Sequence, residues 1–373
     1  MTPLLRKLLG MNWVILATML ALATFGVIAI YSCTYMREAA AYHDMWRKQM
    51  IWIGISSILF MIVSLTDYRW IRWGALPLYL SSLVFLVLTL AIGKKLDGAR
   101  SWLHLGPIQF QPAQLAVISG ILVIALFLSQ FRTLHPMLKL AACGMIAGAP
   151  ALLILMQPDL GSTIVWGPVL FSMLFIARIP KRYLIVLTLL IVCCLPIAYY
   201  FKLKPYQQSR IIAFIDPEID AKGAAWAVNQ TMIAIGSGGW SGKGFKAPNT
   251  QVELGYVPQT TVPNDYIFAA IGEQWGFLGG TALIIAFGIL LGGCFSVAFT
   301  SADECGLILT VGTTALIFTH TFQNIGMCVS MMPVTGVPLP LVSYSGSFVA
   351  VIMFSLGLVN SVWIHRRELP EVP

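Results

Sequence analysis

Apolar runs of about 18 residues or more recur along almost the whole chain, and at 1.5 Å rise per helical residue each is long enough to cross the hydrocarbon core of a bilayer. No water is available there to satisfy backbone N–H and C=O groups, so a chain built this way must form helices. The pattern predicts about ten spans, centred near residues 22, 56, 82, 121, 146, 169, 192, 281, 317 and 353. Charged residues make up 10% of the 373 and hydrophobic ones 58%, against about 25% charged in a soluble domain. The fold class is an all-α polytopic membrane protein. The first run follows Arg6 and Lys7, spans roughly 20 residues and shows no small-residue cleavage site, so it is read as a retained span. The seven cysteines have no zinc-site or disulfide spacing. A net charge of +8 does not point to nucleic acid, because the basic residues flank the spans, where lipid headgroups would meet them.

Two gaps interrupt the runs. Residues 93–112, "GKKLDGARSWLHLGPIQFQP", are amphipathic and suit the membrane interface. Residues 203–264 form the one long hydrophilic loop, between spans seven and eight. With the N-terminus inside, the inner side carries eleven Lys and Arg against six in the short outer loops. That bias places both termini in the cytoplasm and the long loop outside. The chain then reads as one integral membrane domain over 1–373, with no internal repeat of the inverted-transporter kind.

Several motifs bear chemistry, each beside a plainer reading. "GSGGWSGKG" (236–244) invites comparison with a phosphate loop, but Gly244 follows Lys243 where Ser or Thr is required and no strand precedes it. A tight, mobile loop fits better, with Lys243 and the backbone amides able to hold an anionic headgroup. Asp159 in "QPDLG" can cap the following helix, or stand as a hydrogen-bonding group at the outer mouth of a cavity. Arg210 in "YQQSR" can snorkel to lipid phosphate, or pair with the pyrophosphate of a lipid-linked substrate. "GMIAG" (144–148) matches a small-residue helix-packing pattern.

"TTVPNDYIFAAIGEQWGFLGG" sets the sharpest question, because it opens a span with Asp265 and carries Glu273 inside it. Capping can account for Asp265 after Pro263 and Asn264. It cannot reach Glu273, about 12 Å further along the helix. An acid at that depth must face the protein or water, and the two acids suggest an outward-opening polar cavity where a general base could work. "MPVTGVPLPLVSYSGS" (332–347) is too rich in proline and glycine for a regular helix, so at a membrane boundary it must be buried in protein or line that cavity.

Taken together, "QPDLG", "YQQSR", "IDPEIDAKGAAWAVNQTMIAIGSGGWSGKG", "NDYIFAAIGEQWG" and "PVTGVPLPLVSYSGS" resemble the SEDS (RodA/FtsW/SpoVE) family of bacterial peptidoglycan glycosyltransferases over nearly the whole chain. Length and short termini resemble its elongation branch. The resemblance implies a ten-span enzyme of the bacterial cytoplasmic membrane that polymerises lipid II, an undecaprenyl-linked disaccharide peptide, on the outer face. It implies a class B penicillin-binding protein transpeptidase as partner, alongside other elongation-complex membrane proteins and membrane lipid. By motif match Asp265 takes the place of the family's essential aspartate, and Arg210, Asp159 and Glu273 fall on family positions, as do Gly236 and Gly238. Asp265 would take the proton from the acceptor hydroxyl, while Arg210, loop lysines such as Lys243 or a divalent cation such as Mg2+ would stabilise the leaving pyrophosphate.

The chain departs from the family at Ser101, where a basic residue usually precedes Trp102, although Arg100 is adjacent. It also departs at Gln114 and Val117, where Glu and Lys are usual. Joint loss of a buried pair avoids stranding one charge, which implies an altered cavity wall. Gln274 stands for a second Glu and Ser345 for Gly. Two rival classes remain from the residues alone: a flippase for lipid II, with Asp265 and Glu273 as cavity charges, and a non-catalytic scaffold for the penicillin-binding partner.

Overall fold

The computed structural model describes residues 2–35, 44–96, 99–106, 108–201, 204–216 and 224–366. After a short α1 (Pro3–Leu9) come α2 (Trp13–Thr34), α3 (Met45–Leu65), α4 (Tyr68–Ile92), α5 (Pro112–Gln130), α6 (Pro136–Met156), α7 (Leu160–Ile176) and α8 (Lys181–Phe201). α9 (Pro205–Ile215), α10 (Ala224–Ser237), α11 (Ile267–Phe299), α12 (Glu304–Cys328) and α13 (Gly346–His365) follow. Each of the ten expected centres falls inside one of these helices. Among the described residues eight of them (α2–α6 and α11–α13) are long and apolar enough to cross a membrane, and α7 is a shorter apolar helix of 17 residues.

The helices start where short polar residues or proline can serve the unpaired first-turn amides. Asn12 accepts from Val14 N and Ile15 N, Asp67 from Arg69 N, Asp159 from Ser162 N and Asp303 from Gly306 N. Proline occupies the first helical turn of α5, α6 and α9, where no N–H is needed. The buried shares of α5, α12 and α13 are 72%, 67% and 78%, against 22–39% for the other spanning helices, so these three form the centre. α3 packs on α13, α4 on α5, and α2 and α12 on α11. Large apolar side chains such as Ile58, Leu189 and Ile285 project outward, as a lipid-facing surface requires.

Two expectations change. Within the interfacial gap, β1 (Lys94–Leu96), β2 (Ala99–Leu105) and β3 (Ile108–Phe110) form an antiparallel meander with Leu105 opposite Ile108, a small sheet added to an otherwise helical protein. In "GMIAG", a Cβ on Gly144 or Gly148 would meet nothing within 4 Å, so these glycines seat no neighbouring helix among the described residues. Their face lies on a helix that is only 22% buried.

The long hydrophilic segment contains α9 and α10, and its glycine-rich end is pinned in place. Gly276 has φ 62 and ψ −159, a conformation suited to glycine, and it breaks α11. The break frees the carbonyls of Glu273 and Gln274 and the amides of Phe277 and Leu278. All four find partners in the loop: Lys243 N donates to Glu273 O (3.0 Å) and Gly244 N to Gln274 O (3.0 Å), while Phe277 N donates to Gly239 O (2.8 Å) and Leu278 N to Trp240 O (3.1 Å). Residues 239–244 therefore splice into the helix, and the glycines permit the close approach. A Cβ on Gly238 would stand 2.0 Å from Gly272 O, and one on Gly242 (φ +81) 2.2 Å from Gln274 O.

The splice makes a comparative prediction. Gly239 has φ +53 but open space around its Cβ position, so Gly239→Ala is expected to cost only the left-handed strain, roughly 1–2 kcal/mol. Gly242→Ala adds a backbone clash and is expected to lower the thermal midpoint several-fold more. Equal shifts for the two variants in a thermal melt would contradict the splice.

Candidate active site

Asp265 stands just before α11, with Tyr266 at the cap position. Its backbone is held from two directions. Asp265 N donates to Thr261 O at 2.8 Å, and Asn324 Nδ2 on α12 donates both to Asp265 O (2.8 Å) and to Val337 O (2.8 Å). One buried amide thus ties the acid to the segment that contains Gly336. A Cβ built on Gly336 (φ +65) would lie 3.4 Å from Asp265 Oδ2 and 3.9 Å from Arg210 NH1. The carboxylate and the guanidinium thus both approach the same glycine.

The segment between α12 and α13 is non-helical and buried, as its prolines require: Val337, Leu339, Leu341, Val342 and Ser343 are nearly or wholly inaccessible. Its polar groups are paired within the protein. Ser343 Oγ donates to Asn264 O, Leu339 N donates to Ser343 Oγ, Tyr344 N to Pro263 O, and Gln49 Nε2 to Ser343 O. Irregular backbone at membrane depth is tolerated only with such partners.

Arg210 is carried by α9, which is docked through its first turn. Tyr206 Oη (2.8 Å) and Gln207 Nε2 (3.0 Å) both donate to Pro158 O, and the Arg210 guanidinium lies 5.7 Å from the Tyr206 ring centroid. The same turn carries Asp159, whose Oδ1 accepts from Ser162 N and whose Oδ2 accepts from Ser162 Oγ and Gln111 Nε2. Capping therefore does account for Asp159, and it also puts a carboxyl beside Arg210. Burial pushes that carboxyl above its usual range, opposed by the Ser162 and Gln111 hydrogen bonds and by the charge of Arg210. Burial likewise raises the Tyr206 phenol, against the Arg210 charge.

Glu273 faces the protein, as an acid at that depth must, but it does not open a cavity. It is 0% exposed, and Lys243 Nζ (2.6 Å), Gln251 N (2.6 Å) and Ser237 Oγ (3.4 Å) donate to Oε1, while Val252 N (3.1 Å) donates to Oε2. Lys243 and Glu273 are each other's ion partner, and with Gln251 and Val252 they secure the loop beside the splice. Arg100 lies on β2, and its side chain is outside the described residues.

The departures sit quietly. Gln114 and Val117 are buried on α5 at 2% and 1% exposure, where a charge would need a partner. Ser345 has φ −169, extended backbone that any residue adopts. Gln274 is buried, and nothing in the structure explains its Oε1, which lacks a hydrogen bond among the described residues. Sequence reasoning missed Asn324, Gln111 and Gly336. An asparagine inside the apolar run of α12 was a readable signal, since polar groups at that depth need a purpose.

Asp265, Arg210 and Asp159 lie at one end of a multi-pass helical membrane protein, with the Asp265 backbone held by a buried amide. The family model of the FtsW/RodA/SpoVE cell cycle proteins matches residues 12–368, and the chain belongs to that family. Escherichia coli (strain K12) peptidoglycan glycosyltransferase MrdB is 32% identical, over 95% of this chain and 94% of its own. Treponema pallidum (strain Nichols) peptidoglycan glycosyltransferase RodA is 30% identical, over 98% of this chain and all of its own (100%). Among solved structures, a chain from a peptidoglycan synthase complex described as coordinating polymerization and crosslinking superposes with TM-score 0.79 at 27% identity, covering 96% of this chain and 99% of that one. The crystal structure of Thermus thermophilus rod shape determining protein RodA gives 0.71 at 25%, covering 96% and 98%.

If Glu273 holds the loop, Glu273→Ala is expected to strip protection from the amides of Gln251 and Val252 in hydrogen–deuterium exchange while leaving 337–344 unchanged. Unchanged exchange at 251 and 252 would show that the loop is held elsewhere.

Proposed function

We propose that this protein is a peptidoglycan glycosyltransferase that polymerises lipid II on the outer face of the bacterial cytoplasmic membrane during cell elongation and shape maintenance. The observation that supports it most is the approach of both Asp265 and Arg210 to Gly336, in a chain similar in sequence to the glycosyltransferases above. Asp265 removes the proton of an acceptor sugar hydroxyl. That oxygen forms a bond to the anomeric carbon of the donor from the opposite face, and the bond from this carbon to the pyrophosphate breaks, with inversion. Undecaprenyl pyrophosphate leaves with the electron pair, its charge met by Arg210, whose planar fork suits phosphate oxygens. Asp159 orients Arg210 and the substrate, while Lys243 and Glu273 act at one remove by fixing the loop. For Arg100 a substrate role rests only on its place beside Ser101, where the family's basic residue would stand. No three His, Cys, Asp or Glu side chains gather among the described residues, so a divalent ion such as Mg2+ would draw most of its ligands from substrate phosphates and water.

The partner in this reading is a class B penicillin-binding protein transpeptidase, in line with the synthase complex whose chain this fold matches, together with other membrane proteins of the elongation machinery. Both termini lie in the cytoplasm, so enzymatic reporters fused at residue 366 and inserted near residue 254 are expected to report opposite sides of the membrane. Reporters on the same side would overturn the orientation.

The reading predicts that purified wild type makes glycan from lipid II, alone or with its partner, and that Asp265→Asn loses at least about 100-fold in rate, as removal of a general base does, while keeping the same thermal midpoint and partner binding. Equal polymer from both proteins would remove Asp265 from the chemistry. A folded, partner-bound wild type that makes none would move the assignment to lipid transport or scaffolding.

A further inference from the structure

At the other end of α12 from Asn324, about 30 Å away along the helix axis, a second polar site opens. A cavity of about 200 Å³ lies between the starts of α4 and α12 and the end of α5, lined by Tyr68, Arg69, Ser129, Gln130, Arg132 and Asp303, with Leu126 on its apolar side. Its acids are already engaged. Asp303 Oδ1 accepts from Tyr68 Oη (2.7 Å) and Gly306 N (2.8 Å), Glu304 Oε2 pairs with Arg132 Nε (2.9 Å), and Asp67 caps α4 through Arg69 N (2.9 Å). The donors are not exhausted. Arg132 spends Nε on Glu304 and on Ser129 O (3.2 Å), and its two terminal nitrogens make no hydrogen bond among the described residues. Lys139 Nζ, held on Arg132 O at 2.7 Å, adds a further positive charge at the mouth.

A cavity whose acceptors are occupied and whose donors are guanidinium and amide groups selects an acceptor-rich ligand of negative charge. Planar guanidinium forks favour phosphate oxygens. The neighbourhood adds a second indication: Trp70 and Trp73 on the same end of α4 are 73% and 75% exposed, the placement of interfacial anchors, and basic pockets between helices at this level hold lipid headgroups. We propose that this cavity binds a phosphate-bearing ligand, through Arg132, Arg69 and Gln130, at the membrane face opposite the Asp265 site. The ligand's oxygens take the terminal nitrogens that Arg132 leaves unused, and its binding joins α5 to the first turn of α12. Two sources supply this chemistry: a phospholipid headgroup and free phosphate.

The test uses the full chain purified in detergent and exchanged into either phosphatidylglycerol or a phosphate-free glycosyl diacylglycerol, with native mass spectrometry counting retained lipid and thermal melts taken with and without millimolar inorganic phosphate. Wild type is expected to retain one more phosphatidylglycerol than glycolipid, or to be stabilised by inorganic phosphate; the first result assigns the headgroup and the second the free ion. Arg132→Gln, whose side chain is 59% exposed and so can be changed without unfolding the bundle, is expected to weaken either response about tenfold. Arg182→Gln, an exposed arginine beside Tyr183 and outside the cavity, is expected to leave it unchanged. Equal retention of both lipids without a phosphate effect, or a response that Arg132→Gln leaves intact, would overturn the site.

Discussion

Everything at the active end of this protein depends on one exchange of hydrogen bonds. Gly276 interrupts a membrane helix, and an interruption in hydrocarbon is tolerable only if the freed backbone groups are served within the protein. The loop at 239–244 serves them, two carbonyls and two amides, in a reciprocal set of four. Each freed group keeps a partner while a polar loop is brought to the wall of the bundle. Glu273 completes the arrangement by drawing the next turn of the loop inward through Gln251, Val252 and Lys243.

The same accounting governs the segment after α12. Its prolines forbid a helix, and Asn324, Gln49 and Ser343 supply the partners that a helix would have provided. Asn324 links this bookkeeping to chemistry, because the amide that satisfies Val337 also satisfies Asp265. The acid is fixed relative to Gly336, and Gly336 leaves the space in which Asp265 and Arg210 approach. In the proposed role of Asp265 as general base, such fixation lets it meet the acceptor hydroxyl without reordering itself.

The sequence was most legible where a single constraint dominates. Span positions follow from hydrocarbon thickness, and the irregular 332–347 segment follows from proline. Asp159 was readable as a cap, and its second contact, with Gln111 from 48 positions earlier, was not, since long-range pairing leaves no local trace. The glycine-rich loop gave the correct exclusion of a phosphate loop but the wrong picture of a mobile turn. What fixes it is a break in a helix some thirty residues later, and nothing in "GSGGWSGKG" states which backbone it will approach. Glu273 misled for a related reason: depth showed that it needed partners, without showing that those partners would close the cavity it was expected to open. The meander at 94–110 escaped because an amphipathic interfacial segment has no period that separates a strand from a helix at this length.

The central claim is that substrate sits beside Gly336, where Asp265 and Arg210 both approach. Its most direct test is to place a photoreactive amino acid at position 206, on the Arg210 helix, and at position 254, on the surface of the loop, and to irradiate each purified protein with radiolabelled lipid II. Labelling from 206 that disappears on adding Arg210→Ala, with weak labelling from 254, is the result this account predicts. Labelling from 254 alone, or labelling from 206 that survives Arg210→Ala, would place the substrate elsewhere.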